Sequence, residues 1–133
     1  MNTITTTLGE LVDAEPFLRR VSALPLRSKE QPEGLSPKVK YHIVKLGRLV
    51  ADETKHFTDL QAELFATLGI LAGQQLGELK PGVWAAYLQQ SKPYRDLVVT
   101  LPWGPILSSD IPLALAADLI GLGPLCELVE PPP

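Results

Sequence analysis

One stretch of the chain carries a clear alternation of apolar and polar positions. Apolar residues recur there every three or four positions, and Glu53 is the interruption. The stripe consists of Val39, Ile43, Leu46, Val50, Phe57, Leu60 and Leu64. This spacing predicts one buried face of an α-helix. Ser36 followed by Pro37 suits an N-cap and first helical position, so we expect a long helix over about 36–69.

The length of this helix raises the question of what covers it. At about 1.5 Å per residue it runs about 45–50 Å, which exceeds the roughly 30 Å diameter of a globule of this size. The helix therefore projects from the body, breaks near Gly47 or Thr54, or has its exposed end covered by another chain. Packing against the chain's own shorter helices is favoured over a two-stranded coiled coil, because the heptad pattern has a defect.

Shorter helices are predicted on either side. Thr7 and Glu10 have capping-box spacing and predict a helix from Leu8 to about Ala14. Pro16 then begins a further turn that ends at Pro25. The charged segment 27–34 contains proline and glycine and predicts an exposed loop.

The second half of the chain predicts a mixture of elements. A helix is expected from Pro81 to about Ser91, with aromatic residues on its apolar face. The β-branched run at 97–101, the turn at 102–105 and the segment 106–108 predict a small β-hairpin. A last short helix follows a cap at Ser109 or Asp110 and includes Leu113, Leu115, Leu119 and Ile120.

These elements define a mainly α fold. One long central helix at about 36–69 is packed by short helices, with a small β-hairpin near 96–108. We expect residues 1–133 to form a single domain with a flexible tail at 130–133.

Composition narrows the class of protein. The chain has 133 residues, 45% apolar residues, a net charge of −3 and one cysteine, Cys126. The acidic balance disfavours nucleic acid and anionic membranes, and a single cysteine excludes an internal disulfide. The N-terminus lacks the features of a secretory signal. We therefore expect a protein of the cytosol or of a particle, and no membrane partner.

Catalytic signals are weak. No phosphate-binding loop, serine elbow or paired cysteine and histidine is present, and Cys126 reads as a small core residue. Asp52, His56, Asp59 and Glu63 share one helical face and could bind a divalent metal or act in acid/base chemistry, but a solvated face explains them better. We predict no enzyme activity, no catalytic residue, no metal and no cofactor.

Positive charge is concentrated near the start of the long helix. The cluster comprises Lys38, Lys40, Lys45 and Arg48 with Tyr41 and His42. Such a cluster suits an acidic partner, a nucleic-acid backbone or a phosphorylated small molecule. A solvated helical face is the ordinary interpretation.

Several segments together resemble a known family. They are the LSPKVKYHIVKL opening of the long helix, an acidic centre around Phe57, the LVVTLP strand, and the SSDIPL segment at 108–113. In these the chain is similar to small proteins of unknown function encoded by tailed bacteriophages and prophages. It departs from them at the glycine-rich segment 69–82, where charged residues are usual. The resemblance implies phage origin and a helical fold with a small β element, and it carries over no catalytic residue.

Our functional prediction follows from these points. We expect a non-enzymatic phage accessory protein that binds another protein, as a virion or assembly component or as an inhibitor of a host machine, in the host cytoplasm or virion. The predicted partner-binding residues are Tyr41, Lys45, Arg48, Trp84 and Trp103. Homo-oligomers through the long helix are a second expectation. The alternative is a nucleic-acid or nucleotide binder that uses the basic start of that helix.

Overall fold

The computed structural model describes residues 3–111 and 116–127. The helices in these ranges are α1 (Leu8–Ser22), α2 (Pro37–Leu68), α3 (Val83–Arg95) and α4 (Ala116–Gly121). The strands are β1 (Ile4–Thr7), β2 (Val98–Leu101), β3 (Ile106–Leu107) and β4 (Cys126–Glu127). Short 3₁₀ turns occupy Leu76–Glu78, Ser108–Asp110 and Gly123–Leu125. The mainly α fold predicted from the sequence is therefore confirmed.

Helix α2 is the long helix that the apolar stripe predicts. The Ser36 hydroxyl accepts a hydrogen bond from the Val39 amide at 3.3 Å, and Pro37 follows the cap. Gly69 ends the helix with φ of 76°, a conformation that glycine adopts without strain. The helix continues through Gly47 and Thr54, so neither residue breaks it.

Helix α1 is one element where the sequence predicted two. It continues through Pro16, which was expected to begin a separate turn. Its buried residues Leu11, Ala14, Leu18 and Val21 form one face on both sides of the proline. Packing of this face offsets the roughly 3 kcal/mol that an internal proline costs, so the predicted break was wrong.

Helix α3 begins and ends later than the predicted 81–91. It runs beyond Ser91 and through Pro93 to Arg95. The Arg95 guanidinium donates to the Asp13 carboxylate at 2.8 Å and lies over the Phe57 ring. Contacts with α1 and α2 thus hold the last turn of α3 in helical form, which the local sequence does not indicate.

The strands do not form the predicted hairpin at 96–108. Strand β2 pairs antiparallel with β1, with Ile4 opposite Leu101. Strand β3 instead pairs parallel with β4, with Ile106 opposite Cys126. The residues of β2 and β3 were therefore predicted, whereas β1 and β4 were not. The predicted pairing was wrong, because pairing depends on partners from distant parts of the chain.

The core lies where α1 crosses the first half of α2. It contains Leu11, Leu18 and Val21 from α1 and Ile43, Leu46 and Val50 from α2, closed by Leu35, Leu101, Leu122 and Leu125. In the loop before α2, residues 27–33 are exposed as predicted. Gly34 is buried, and a bridge between Leu26 and Leu35 closes this loop.

The end of the chain is described in part. Leu119 and Ile120 lie in α4, whereas Leu113, Leu115 and the predicted tail at 130–133 lie outside the described residues. Among the helices of the described ranges, none has both the length and the hydropathy needed to cross a bilayer.

Candidate functional site

The turn at 102–105 is fastened to the first half of α2. The Trp103 indole Nε1–H donates to the His42 carbonyl oxygen at 3.1 Å. The His42 ring Nε2 lies 2.8 Å from the Gly104 carbonyl oxygen, so that nitrogen carries the hydrogen and donates. The two rings also contact each other, with centroids 5.3 Å apart. This reciprocal pair brings the turn against the basic start of the helix.

Three of the five predicted partner-binding residues meet at this place. Tyr41 and Trp103 contact edge to face, with ring centroids 6.3 Å apart and planes at 66°. The Lys45 ammonium lies 5.5 Å from the centroid of the Trp103 ring, a cation–π distance. Tyr41 is 63% exposed, although Trp103 is partly buried. We call Tyr41, Lys45 and Trp103 the aromatic surface.

An open groove of about 850 Å³ runs beside the aromatic surface. Its α2 wall includes Lys38, Val39 and His42, and its other wall is the 102–107 segment. Asp110 and Glu127 border it as well, so both signs of charge occur along its length. The size and the mixture of apolar and charged walls suit a peptide or a side chain of a partner.

Arg48 lies apart from the groove. It is exposed and borders a smaller depression of about 290 Å³ between α1 and α2, together with Glu15, Arg19 and Val44. It still shares a helical face with Lys45, three residues earlier, and extends the positive charge along α2.

Trp84 lies at a different place altogether. Its ring contacts Tyr87 at 5.0 Å, and Tyr87 contacts Phe65 near the end of α2. The helical distance from His42 to Phe65 is about 35 Å at 1.5 Å per residue. The five predicted residues therefore do not form one continuous surface.

Lys40 does not belong to the exposed basic cluster. Its ammonium donates to the Leu24 carbonyl oxygen at 2.6 Å and to the Ser22 carbonyl oxygen at 2.5 Å. Ser22 is the last residue of α1 and Leu24 follows just beyond it, so the ammonium lies at the C-terminal end of this helix, where a cation is favourable. Lys38, Lys45 and Arg48 remain exposed.

The acidic line on α2 stays on the surface. Asp52, His56, Asp59 and Glu63 are all exposed. Within residues 3–111 and 116–127, no three histidine, cysteine or acidic side chains are grouped closely enough to hold a metal ion.

Cys126 lies in β4 and packs against the core in a partly buried position. Burial raises the pKa of its thiol, which disfavours the reactive thiolate.

Sequence reasoning missed the roles of His42 and Gly104. A histidine near lysines gives no signal of a bond to a carbonyl far along the chain. The proline and glycine around Trp103 predicted a turn, but nothing in the sequence indicates the helix on which that turn packs.

Comparisons with protein-family models, with curated proteins and with solved structures give no significant match.

Proposed function

We propose that this protein is not an enzyme and acts by binding another protein through the aromatic surface and its groove. The observation that carries this proposal is the meeting of Tyr41, Lys45 and Trp103 on the exposed side of α2. Trp103 also lines the groove, whose walls are both apolar and charged. Aromatic and cationic side chains beside such a groove are typical of protein interfaces. The resemblance to phage proteins supports a role in the virion, in assembly or against a host machine, in the host cytoplasm or virion.

The rigidity of the surface also supports binding. Trp103 is held by its hydrogen bond to the His42 carbonyl oxygen and by ring contacts with Tyr41 and His42. The Trp103 side chain therefore loses little conformational entropy when a partner binds. Tyr41 is exposed and retains more freedom.

Site-specific photo-crosslinking in bacterial cells tests the proposal. We expect a photoreactive residue at Tyr41 to give a discrete protein adduct. The same residue at Lys55, exposed and about 21 Å further along α2, should not. The partner protein identified from the adduct is then purified. It should bind the Tyr41→Ala variant at least about 10-fold more weakly than wild type and bind the Lys55→Ala variant with unchanged affinity. Equal adducts from both positions would contradict the proposal.

One observation favours a nucleic-acid or nucleotide binder as the second candidate. Lys38, Tyr41, Lys45 and Arg48 are all exposed and follow each other at helical spacing along one face of α2. A tyrosine between cations can stack on a base while the cations contact phosphates.

Salt dependence separates the two candidates. Binding of a single-stranded oligonucleotide that weakens steeply as salt rises, and that Lys45→Ala reduces, would support nucleic-acid binding. The absence of binding at low salt would eliminate it. The overall charge of −3 and the engagement of Lys40 with α1 make protein binding the better supported function.

A further inference from the structure

The first half of α2 carries positive charge without an acidic neighbour. Residues 37–51 contain four cationic side chains and no acidic one, although the whole chain has a net charge of −3. One of the four, Lys40, binds the end of α1. The other three are exposed and form no ion pair within the described ranges of the chain; they are Lys38, Lys45 and Arg48. These charges are available to another molecule.

Local charge decides which molecule this face attracts. At physiological salt, charges more than about 8 Å apart are largely screened. Lys45 lies one helical turn from Tyr41 and one from Arg48. Its ammonium also lies over the Trp103 ring. The first acidic residue of α2 is Asp52, one turn beyond Arg48. The aromatic surface together with Arg48 therefore attracts carboxylates, although the net charge of the whole chain is negative.

The groove begins at the aromatic surface and runs towards the start of α2. Trp103 lines the groove and contacts Lys45. The α2 residues of the groove all precede Lys45, and the opposite wall continues from Trp103 to Leu107. Four extended residues span at most about 14 Å, and the seven helical steps from Lys45 back to Lys38 span about 10 Å. The groove therefore has room for roughly three or four residues of an extended segment.

Negative charge borders the far end of the groove. Glu127 lies opposite Leu107 in the pairing of β3 with β4, and Asp110 belongs to the turn after Leu107. Both carboxylates are exposed and line the groove. Lys38 lines this end too, but it forms no ion pair with either of them. The end near Lys45 is thus positive, whereas the far end has two carboxylates and one ammonium.

This distribution of charge favours a peptide over a nucleic acid. A nucleic-acid strand carries a negative charge on every nucleotide, so a strand that follows the groove would place phosphates beside Asp110 and Glu127. A peptide can carry carboxylates at one end and none at the other. Apolar residues of such a peptide would meet the apolar part of the groove, which includes Val39, Pro105 and Leu107.

We propose that the partner binds this groove with an extended segment that is acidic at one end and apolar at the other. Its carboxylates lie at Lys45 and Arg48, and its apolar residues lie along the groove. No carboxylate of the segment lies beside Asp110 or Glu127. Complementary charge of this kind fixes the direction in which the segment binds. The inference rests on the proposed function and names the chemistry of its partner.

Labelled peptides test the proposal by fluorescence anisotropy at low salt. The probe is a short capped peptide with a run of glutamates followed by leucines and valines, made in both chain directions. We expect a dissociation constant below about 1 mM, with tighter binding in one direction than in the other. The same peptides with lysine in place of glutamate should not bind measurably, because lysine is repelled by the aromatic surface.

Charge reversals in the protein locate the contact. Lys45→Glu and Arg48→Glu should each raise the dissociation constant at least about 10-fold. Lys55→Glu is the matched control, because Lys55 is exposed on the same helix and its reversal changes the net charge equally. It should change the constant by less than about 2-fold. Asp110→Lys should strengthen binding of a peptide of glutamates alone, since it removes repulsion at the far end. Circular dichroism checks that each variant is folded.

Other outcomes overturn the proposal. Equal binding of the glutamate and lysine peptides, or equal losses in Lys45→Glu and Lys55→Glu, would mean that local charge does not select the partner. Tighter binding of a single-stranded oligonucleotide with as many charges would assign the face to a phosphate backbone. Absence of binding by the glutamate peptides would also overturn it, and a discrete adduct at Tyr41 would then leave the proposed function standing with a partner of other chemistry.

Discussion

The Trp103 indole donates to the carbonyl oxygen of His42, and the His42 ring donates to the carbonyl oxygen of Gly104. The side chain of each residue thereby binds a main-chain carbonyl oxygen of the segment that contains the other residue. A turn that contains two prolines has few main-chain donors of its own, so these bonds fix its position on α2.

Replacement of Trp103 tests this link. Trp103→Phe keeps an aromatic ring but removes the Nε1–H donor and weakens the cation–π contact with Lys45. We expect the free energy of unfolding to fall by about 1–2 kcal/mol in urea denaturation. Tyr94→Phe, an exposed aromatic on α3, should change it by less than about 0.5 kcal/mol. Equal losses in both variants would show that the indole hydrogen bond does not stabilise the fold.

Two lysines two residues apart should behave differently. Lys40→Met removes the charged donor from the carbonyl oxygens of Ser22, the last residue of α1, and of Leu24 just beyond it, and should destabilise the protein by about 1–3 kcal/mol. Lys38→Met, at an exposed position, should be nearly neutral. Thermal or urea unfolding measures both. An unchanged free energy of unfolding in Lys40→Met would mean that water satisfies these carbonyl oxygens as well as the lysine does.

Two glycines should respond in opposite directions to alanine. A Cβ at Gly34 would lie 2.6 Å from the Leu26 carbonyl carbon and 2.7 Å from the Arg27 nitrogen, and main-chain atoms cannot move aside cheaply. Gly34→Ala should therefore destabilise the fold by more than about 2 kcal/mol.

Gly47 lies inside α2, and a Cβ there meets nothing within 4 Å. Gly47→Ala should stabilise the protein by about 0.5–1 kcal/mol, because alanine restricts the unfolded chain and favours helix. Paired urea titrations of the two variants give the comparison. Gly47 lines the depression between α1 and α2. A loss of stability in Gly47→Ala would indicate that the added methyl group disturbs the packing there.

The Cys126 thiol should react slowly with an aromatic disulfide reagent. Burial raises its pKa above the ordinary value of 9.0, so less thiolate is present at pH 8 than in the unfolded chain. We expect the folded protein to react at least about 10-fold more slowly than the same protein in urea. Comparable rates in both states would contradict the partly buried position of the sulfur.

The same pKa shift has a definite sign for stability. The folded state favours the neutral thiol, so its contribution is complete below the unfolded pKa and is lost as pH rises through the folded pKa. Cys126→Ser should remove this alkaline dependence without changing the behaviour near neutral pH.

Local signals in the sequence predicted some elements well and others poorly. Ser36, Pro37 and Gly69 bound α2 because capping depends on the nearest residues alone. Pro16 misled the prediction of α1, and the end of α3 was predicted too early, at about Ser91. Both helices continue through an internal proline, because packing against distant elements outweighs its cost. The candidate site shows the same limit: Tyr41 and Trp103 were each named, but their contact was not.

The sequence by itself determined the long helix, its caps and its apolar stripe. Each of these follows from residue types at fixed short spacings. The tertiary structure alone decided that β2 pairs with β1, that Trp103 packs on His42 and that Lys40 binds α1. Those contacts join segments far apart in the chain, and which of them form depends on how the buried faces fit together in space.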